Sequence, residues 1–382
     1  MKRVILLGAT GSVGTNTLSV IRENPDEFRV VGIAAGRGGD KMAALAGEFR
    51  NAAVSVAAGD EALGERLRGV GWKGRYFHGY GGAEALVRET AADICVAAVG
   101  GTAGLAPTFA AAELGLRILL ANKEVLVSAG RLFMDAVHAG GARVLPVDSE
   151  HCALWQCLEG RERSEVARLI ITASGGPFRT WTAERMASAT PEDALRHPVW
   201  RMGAKISVDS ATLANKALEL IEAQHLFGLG PDAMDVLIHP QSTVHGMVEF
   251  TDGSFIAHMG VCDMRQPIGY MLFHPRRRQN HLPRLDLAAL GRLDFAEPDL
   301  HRFPMLEIGM EAAHRGGRYP ALYNAANETA VELFLAGRLS FTGIALATAA
   351  AVNHGEDGDF SDLDEVAEVH DRARRAVLAY AG

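Results

Sequence analysis

The apolar run Val4-Ile5-Leu6-Leu7 stops at Gly8-Ala9-Thr10-Gly11-Ser12-Val13-Gly14, and a helical pattern begins at about Ser12. A strand that passes through glycines at every third position into a helix points to the first βα unit of a nucleotide-binding sheet. Glycines let the chain turn sharply and let a pyrophosphate approach backbone N–H groups at the helix N-terminus, where the macrodipole favours an anion. Thr10, Gly11, Ser12 and Val13 line that turn. The plainer alternative is a tight turn that binds nothing, but the flanking strand and helix are the context that nucleotide binding requires.

The same rhythm continues to about residue 150. Residues 29–35 read as a second strand followed by a helix from Lys41, and further apolar runs fall at 94–99, 117–121 and 143–147. Short apolar strands alternating with helices imply an α/β fold with a Rossmann-like, doubly wound parallel sheet. From about 150 to 275 the chain turns to polar motifs rich in Gly, Ser and His, with extended runs at 169–172 and 244–250, as expected of a central α+β catalytic domain. A basic, proline-bearing stretch then leads into an Ala-rich α-helical remainder. At roughly 150 residues per domain, 382 residues accommodate this division. We expect a nucleotide-binding domain over 1–147, a catalytic domain over 148–274, a linker over 275–303 and a helical domain over 304–382.

A formal charge of -8 argues against a general nucleic-acid binder, leaving room for a local pocket for a small anion. The longest apolar runs fall short of the ~20 residues that span a bilayer. The run before Gly8 is too short for a secretory signal. Cys95, Cys152, Cys157 and Cys262 form no CxxC pair and no disulfide framework. These features are expected of a cytoplasmic protein with free thiols.

The second strand refines the cofactor. An NAD site carries Asp or Glu near this strand end for the ribose 2'-hydroxyl, whereas this chain offers Gly36, Arg37 and Gly38. A cation without that acid suits the 2'-phosphate of NADPH; a surface arginine in a glycine loop is the alternative. Gly100-Gly101, Asn122-Lys123-Glu124 and Asp148-Ser149-Glu150 each follow an apolar strand. In open α/β sheets ligands bind outside the carboxyl ends of the strands, although each segment alone also reads as a helix cap.

Residues 209–227 read as one capped helix. Asn215, Lys216, Glu219 and Glu222 fall on one narrow stripe and apolar residues on the rest, either a solvated face or an inward-facing site. If Glu219 meets Asp148 and Glu150, three carboxylates supply hard oxygen ligands suited to Mn²⁺ or Mg²⁺, with Co²⁺ a further candidate. Ser174, Gly175 and Gly176 after a strand form a natural backbone nest for an anion, to which Ser210, Asn215 and Lys216 can add donors. His197, Trp200 and Met202 lie on a Pro- and Gly-bearing segment near 196–205 that suits a lid, with a plain core packing role as the alternative. Ser242 and His245 complete the polar positions.

The ordered set GATGSVG, ANKEVLV, PVDSEH, ASGGPFR, HPVWRMGAKISVDSATLANKALELIEA, HPQSTVH and NAANE closely resembles the 1-deoxy-D-xylulose 5-phosphate reductoisomerase family, from residue 1 to about 345. The resemblance implies NADPH- and divalent-metal-dependent rearrangement and reduction of that phosphosugar to 2-C-methyl-D-erythritol 4-phosphate, in a homodimer. It implies Asp148, Glu150 and Glu219 as metal ligands, and Lys123, Glu150, Glu222 and His245 as positions associated with activity. Ser149, Ser174, His197, Trp200, Met202, Ser210, Asn215, Lys216, Glu219 and Ser242 match substrate positions. Thr10, Gly11, Ser12, Val13, Gly36, Arg37, Gly38, Asn122, Lys123 and Glu124 match cofactor positions. Three departures stand out: Gly38 where many relatives have Asn, Ala9 for a common Ser, and Cys262 in place of the proline before Asp263. Two rivals are a semialdehyde-type NADP dehydrogenase, which needs a cysteine nucleophile, and a non-catalytic NADP(H)-sensing module, which needs no carboxylate set.

Overall fold

The computed structural model describes residues 1–58, 61–200 and 202–382, with only the backbone of Glu61. The chain forms two compact units. The first contains residues 1–125, 133–148 and 263–282; the second contains 126–132, 149–262 and 283–382.

The first unit is built on a seven-stranded sheet in the order β4-β3-β2-β1-β5-β6-β7. Its strands are β1 (Lys2–Leu7), β2 (Phe28–Arg37), β3 (Ala53–Ala58), β4 (Tyr76–His78), β5 (Ile94–Ala97), β6 (Arg117–Leu120) and β7 (Arg143–Pro146). Every pairing is parallel. Parallel strands covered on both faces need side chains that are apolar throughout, and Val4, Ile5, Leu6 and Leu7 are all fully buried. The sequence pattern does not reveal β3, whose apolar residues are interrupted by Ser55, or β4, which is only three residues long. The strand order reverses between β1 and β5, which places a crevice at their carboxyl ends. Gly8 stands there with φ +81, and a Cβ on it would lie 2.2 Å from the carbonyl oxygen of Ala98 after β5. Only glycine fits that crossing.

The helix Arg265–Phe273 packs on the first helix, Ser12–Arg22, with Phe273 edge-on to Phe28 at 5.1 Å. Residues 263–274 therefore group with the nucleotide-binding sheet, whereas the sequence reading assigned them to the catalytic region. Apolar burial of Ile268, Met271, Leu272 and Phe273 accounts for that grouping.

The second unit has a four-stranded sheet, β11-β10-β8-β9. Its strands are β8 (Val166–Ala173), β9 (Met234–Ile238), β10 (Val244–Phe250) and β11 (Phe255–Met259). The expected helix over 209–227 is instead two helices, Ala204–Thr212 and Ala214–Phe227. Leu213 between them is left-handed at φ 62 and 2% exposed. That conformation costs roughly 1–2 kcal/mol for a residue with a Cβ. Burying a leucine side chain contributes ~1.5–3 kcal/mol, enough to offset it. The Thr212 hydroxyl also accepts from the Ala214 N–H. The helices Pro304–Arg315, Tyr319–Leu335, Phe341–Asn353 and Leu363–Tyr380 share one hydrophobic core with this sheet rather than forming a separate unit.

Candidate active site

In the first unit, Thr10 sits in the loop after β1, and Gly11 precedes the first helix, which no side chain caps among the described residues. Its first turn carries no acid, so the N–H groups at Ser12 and Val13 present unopposed positive potential. Gly36, Arg37 and Gly38 are exposed at the end of β2. Asn122 follows β6, 1% exposed, and its amide donates to the carbonyls of Val99 and Gly101, fixing the loop after β5. Its side-chain oxygen is buried with no hydrogen-bond partner among the described residues. Lys123 and Glu124 are buried beside it, and Lys123 Nζ lies 2.7 Å from Asp148 Oδ2 at the end of β7. The segments that the sequence placed at strand ends are at strand ends.

In the second unit, Ser149 and Glu150 open the helix Ser149–Leu158, where a carboxylate complements the N-terminal dipole. The helix Ala214–Phe227 faces inward along its polar stripe: Lys216 is 7% exposed, and Glu219 and Glu222 are each 1% exposed. The solvated-face alternative is therefore excluded. Carboxylate oxygens of Glu150 and Glu219 lie within 4.8 Å of one another. Lys216 Nζ bridges them, donating to Glu150 Oε1 and, at 2.8 Å, to Glu219 Oε2. Asn215 donates to the other Glu219 oxygen, and Ser149 to the other Glu150 oxygen. Asp148 precedes Glu150 by two residues, so chain geometry holds their Cα atoms to within about 7.6 Å.

His151 is fully buried, and its role is structural. Its Nε2 donates to the Glu219 carbonyl at 2.9 Å, and Nδ1 lies 3.3 Å from Glu222 Oε2. It braces the turn that carries both glutamates. Nothing in the sequence beyond its place next to Glu150 signals this role.

The nest follows β8. Gly175 and Gly176 have φ +83 and +65, and a Cβ on Gly176 would lie 2.5 Å from the Ser210 carbonyl oxygen. Ser174 Oγ accepts from the Gly176 N–H at 3.1 Å and pairs with His197 Nε2 at 3.0 Å. His197 Nδ1 accepts from the N–H groups of Val199 and Trp200, so the ring proton must sit on Nε2 and point at Ser174. With two donors on its oxygen, Ser174 keeps its own proton for an incoming anion. Trp200 approaches the His245 ring at 6.4 Å between centroids, and Met202 is half-buried. Arg201, within the expected lid, lies outside the described residues. Ser242 is buried with φ 52, and its carbonyl accepts from Cys262 at 3.3 Å.

Burial and the Lys216 charge push His197 down to about 4. The same causes, in the same order, bring His245 to about 4. Both rings are neutral at pH 7. Burial pushes the Cys157 thiol up to about 11, and burial with the Glu150 charge does the same for Cys262. Such thiols are not poised as nucleophiles.

Comparisons with known proteins place the chain in a family. Residues 4–130 match the 1-deoxy-D-xylulose 5-phosphate reductoisomerase family, 144–227 its C-terminal domain, and 259–376 the DXP reductoisomerase C-terminal domain. The reductoisomerase of Ralstonia nicotianae is 48% identical, over 100% of this chain and 98% of its own length. This chain belongs to the 1-deoxy-D-xylulose 5-phosphate reductoisomerase family. The reductoisomerase of Pelotomaculum thermopropionicum is also 48% identical, over 98% of this chain and 97% of its own. Among solved structures, the Zymomonas mobilis reductoisomerase with NADPH is 41% identical and superposes with a TM-score of 0.92, covering 100% of this chain and 98% of its own. A DOX-P reductoisomerase in complex with NADPH, fosmidomycin and magnesium is 38% identical with a TM-score of 0.96, at the same coverage. Membership of the reductoisomerase family agrees with the α/β fold and with the absence, among the described residues, of any helix long and apolar enough to cross a membrane.

Proposed function

We infer that this chain is an NADPH- and divalent-metal-dependent enzyme that rearranges and reduces 1-deoxy-D-xylulose 5-phosphate to 2-C-methyl-D-erythritol 4-phosphate. The observation that carries the reading is the half-buried Glu150 and buried Glu219 with a buried lysine between them, on a chain 48% identical to named reductoisomerases. A merely sensing module has no need to bury that set. A semialdehyde-type dehydrogenase needs an activated thiol, and Cys157 and Cys262 are pushed the wrong way.

The residues fit both cofactors. The uncapped N-terminus after Gly11, the glycine crossing at Gly8 and the orphaned Asn122 oxygen suit a dinucleotide. Thr10, Ser12 and Val13 would line its pyrophosphate and Gly36, Arg37 and Gly38 its 2'-phosphate, with Asn122, Lys123 and Glu124 beyond them. Glu150 and Glu219, with Asp148 two residues upstream, offer only hard oxygens, which suit Mg²⁺ or Mn²⁺ rather than zinc. When bound, NADPH supplies hydride and the metal polarises the substrate's oxygens as a Lewis acid.

The chain's own groups do the rest. The Ser174 hydroxyl, the Gly175 and Gly176 backbone, Ser210, Asn215 and Lys216 hold the phosphate. Its binding energy draws His197, Trp200 and Met202 over the site and excludes water. Ser149, Ser242 and neutral His245 hydrogen-bond the sugar, and in the first unit Lys123 is held by its ion pair with Asp148. Glu222 and His151 hold Glu219 in place. We further assign a homodimer and a cytoplasmic location. β11 ends its sheet with Phe255 52% exposed, and molecular mass in solution tests the dimer. The deciding experiment is NADPH oxidation on 1-deoxy-D-xylulose 5-phosphate with and without Mn²⁺. Turnover independent of metal, or none with both present, would refute the reading.

A further inference from the structure

The segment Asn324-Ala325-Ala326-Asn327-Glu328 takes no part in the mechanism above, yet two of its polar side chains are fully buried. It lies on the helix Tyr319–Leu335, which packs against Ala204–Thr212 and Ala214–Phe227. Asn327 Nδ2 donates to Asp209 Oδ1 at 2.8 Å, a bond between residues 118 positions apart. The other oxygen of Asp209 accepts from Lys205 Nζ at 2.9 Å. Asp209 is 2% exposed, and a carboxylate that deep requires donors on both oxygens.

Asn327 makes this bond at a cost to itself, since its own Oδ1 is buried without a partner among the described residues. An apolar side chain would join two helices without that penalty. The purpose must therefore lie in what Asp209 holds. The next residue is Ser210, whose carbonyl abuts Gly176, so the anchored turn forms the back of the anion nest. The anchor and the nest meet in one turn of helix.

We propose that Asn327 is a positioning residue for the substrate's phosphate: it fixes Asp209, and through it the last turn of Ala204–Thr212, against the Ser174-Gly175-Gly176 nest. This rests on reading that nest as the phosphate site. Asn327 itself is fully buried and lines neither the nest nor the cofactor turn.

The test uses the full chain with Asn327→Leu, Lys205→Met and the exchanged pair Asp209→Asn with Asn327→Asp. It reads KM for the phosphosugar and for NADPH, inhibition by inorganic phosphate, and Tm. For Asn327→Leu, the phosphosugar KM and the phosphate inhibition constant should rise together by about tenfold, as expected for one hydrogen bond to a charged group. The NADPH KM should stay put. The exchanged pair keeps one N–H···O bond between the same positions and should recover at least half of the loss. Lys205→Met acts on the other oxygen from a more exposed position and should raise the phosphate constant about threefold. It decides the matter if Asn327→Leu does not fold. A folded Asn327→Leu or Lys205→Met enzyme that binds phosphate like wild type overturns the proposal, as does an exchanged pair that folds and recovers nothing. A wild-type enzyme that is inhibited by no phosphate overturns it too. Failure of the parent reading shows differently, as wild type that does not turn over the phosphosugar at all.

Discussion

His245 offers a quantitative check on the polar interior of the second unit. It lies on β10, 6% exposed, with burial and the Lys216 charge holding it at about 4 against an ordinary 6.5. Because the folded value is depressed, the neutral form is favoured in the native state. The stability this contributes is complete above about 6.5 and is lost as pH falls toward 4. At pH 5 an unfolded histidine is almost wholly protonated, while native His245 is only about one-tenth protonated. Integrating at 1.36 kcal/mol per pH unit gives a loss of about 2 kcal/mol between pH 7 and pH 5 from this residue alone. The assay is urea unfolding at both pH values for wild type and His245→Asn, extrapolated linearly to water. Other titrating groups, including half-buried His197, are present in both proteins and cancel in the comparison. Wild type should lose about 2 kcal/mol more than the variant on acidification. Equal losses, within about 0.5 kcal/mol, would show that His245 is not held neutral by its surroundings.

Glu219→Gln should fold and bind NADPH but lower kcat/KM at least about 100-fold in saturating Mn²⁺, since the charge stabilisation supplied by a metal is worth several kcal/mol; near-normal turnover would remove Glu219 from the metal set. Gly8→Ala should lower stability by about 1–3 kcal/mol through left-handed strain, and weaken NADPH binding at least tenfold through the clash with the Ala98 carbonyl; thermal melts and fluorescence titration with NADPH read both. Ser174→Ala should raise the phosphosugar KM about tenfold, the value of one hydrogen bond to a charged acceptor, with NADPH KM unchanged; steady-state kinetics decide it.

The nucleotide-binding half was legible because its signals are local. An apolar strand, a glycine turn and a helix follow one another within residues 2–22, and each strand end that drew notice for its polar residues ends a parallel strand. β3, β4, β9 and β11 were not legible: Ser55, Asp235 and His258 interrupt the apolar residues of β3, β9 and β11, β4 has only three residues, and their pairing partners lie far away in sequence. The break at Leu213 was hidden for a related reason. Its neighbours keep helical spacing on both sides, and only tertiary burial makes a left-handed leucine tolerable. The partners of His151 and Asn327 were not legible because a hydrogen bond to Glu219 or Asp209 leaves no periodicity behind it.

The polar stripe on Ala214–Phe227 carries the argument from fold to function. By period alone it is an ordinary solvated face, yet Lys216, Glu219 and Glu222 are buried. Removing charges from water costs several kcal/mol each, and a buried ion pair is often no more stabilising than the apolar residues that would fill its space. Lys216 bridging Glu150 and Glu219 is therefore poorly explained as a device for stability. It is well explained as a site whose carboxylates and ammonium must stand ready for a cation and a phosphate. Changing Lys216, Glu150 and Glu219 together to Met, Gln and Gln should then leave Tm near or above wild type while abolishing turnover. A triple variant that unfolds at room temperature would reverse the assignment and make the cluster structural.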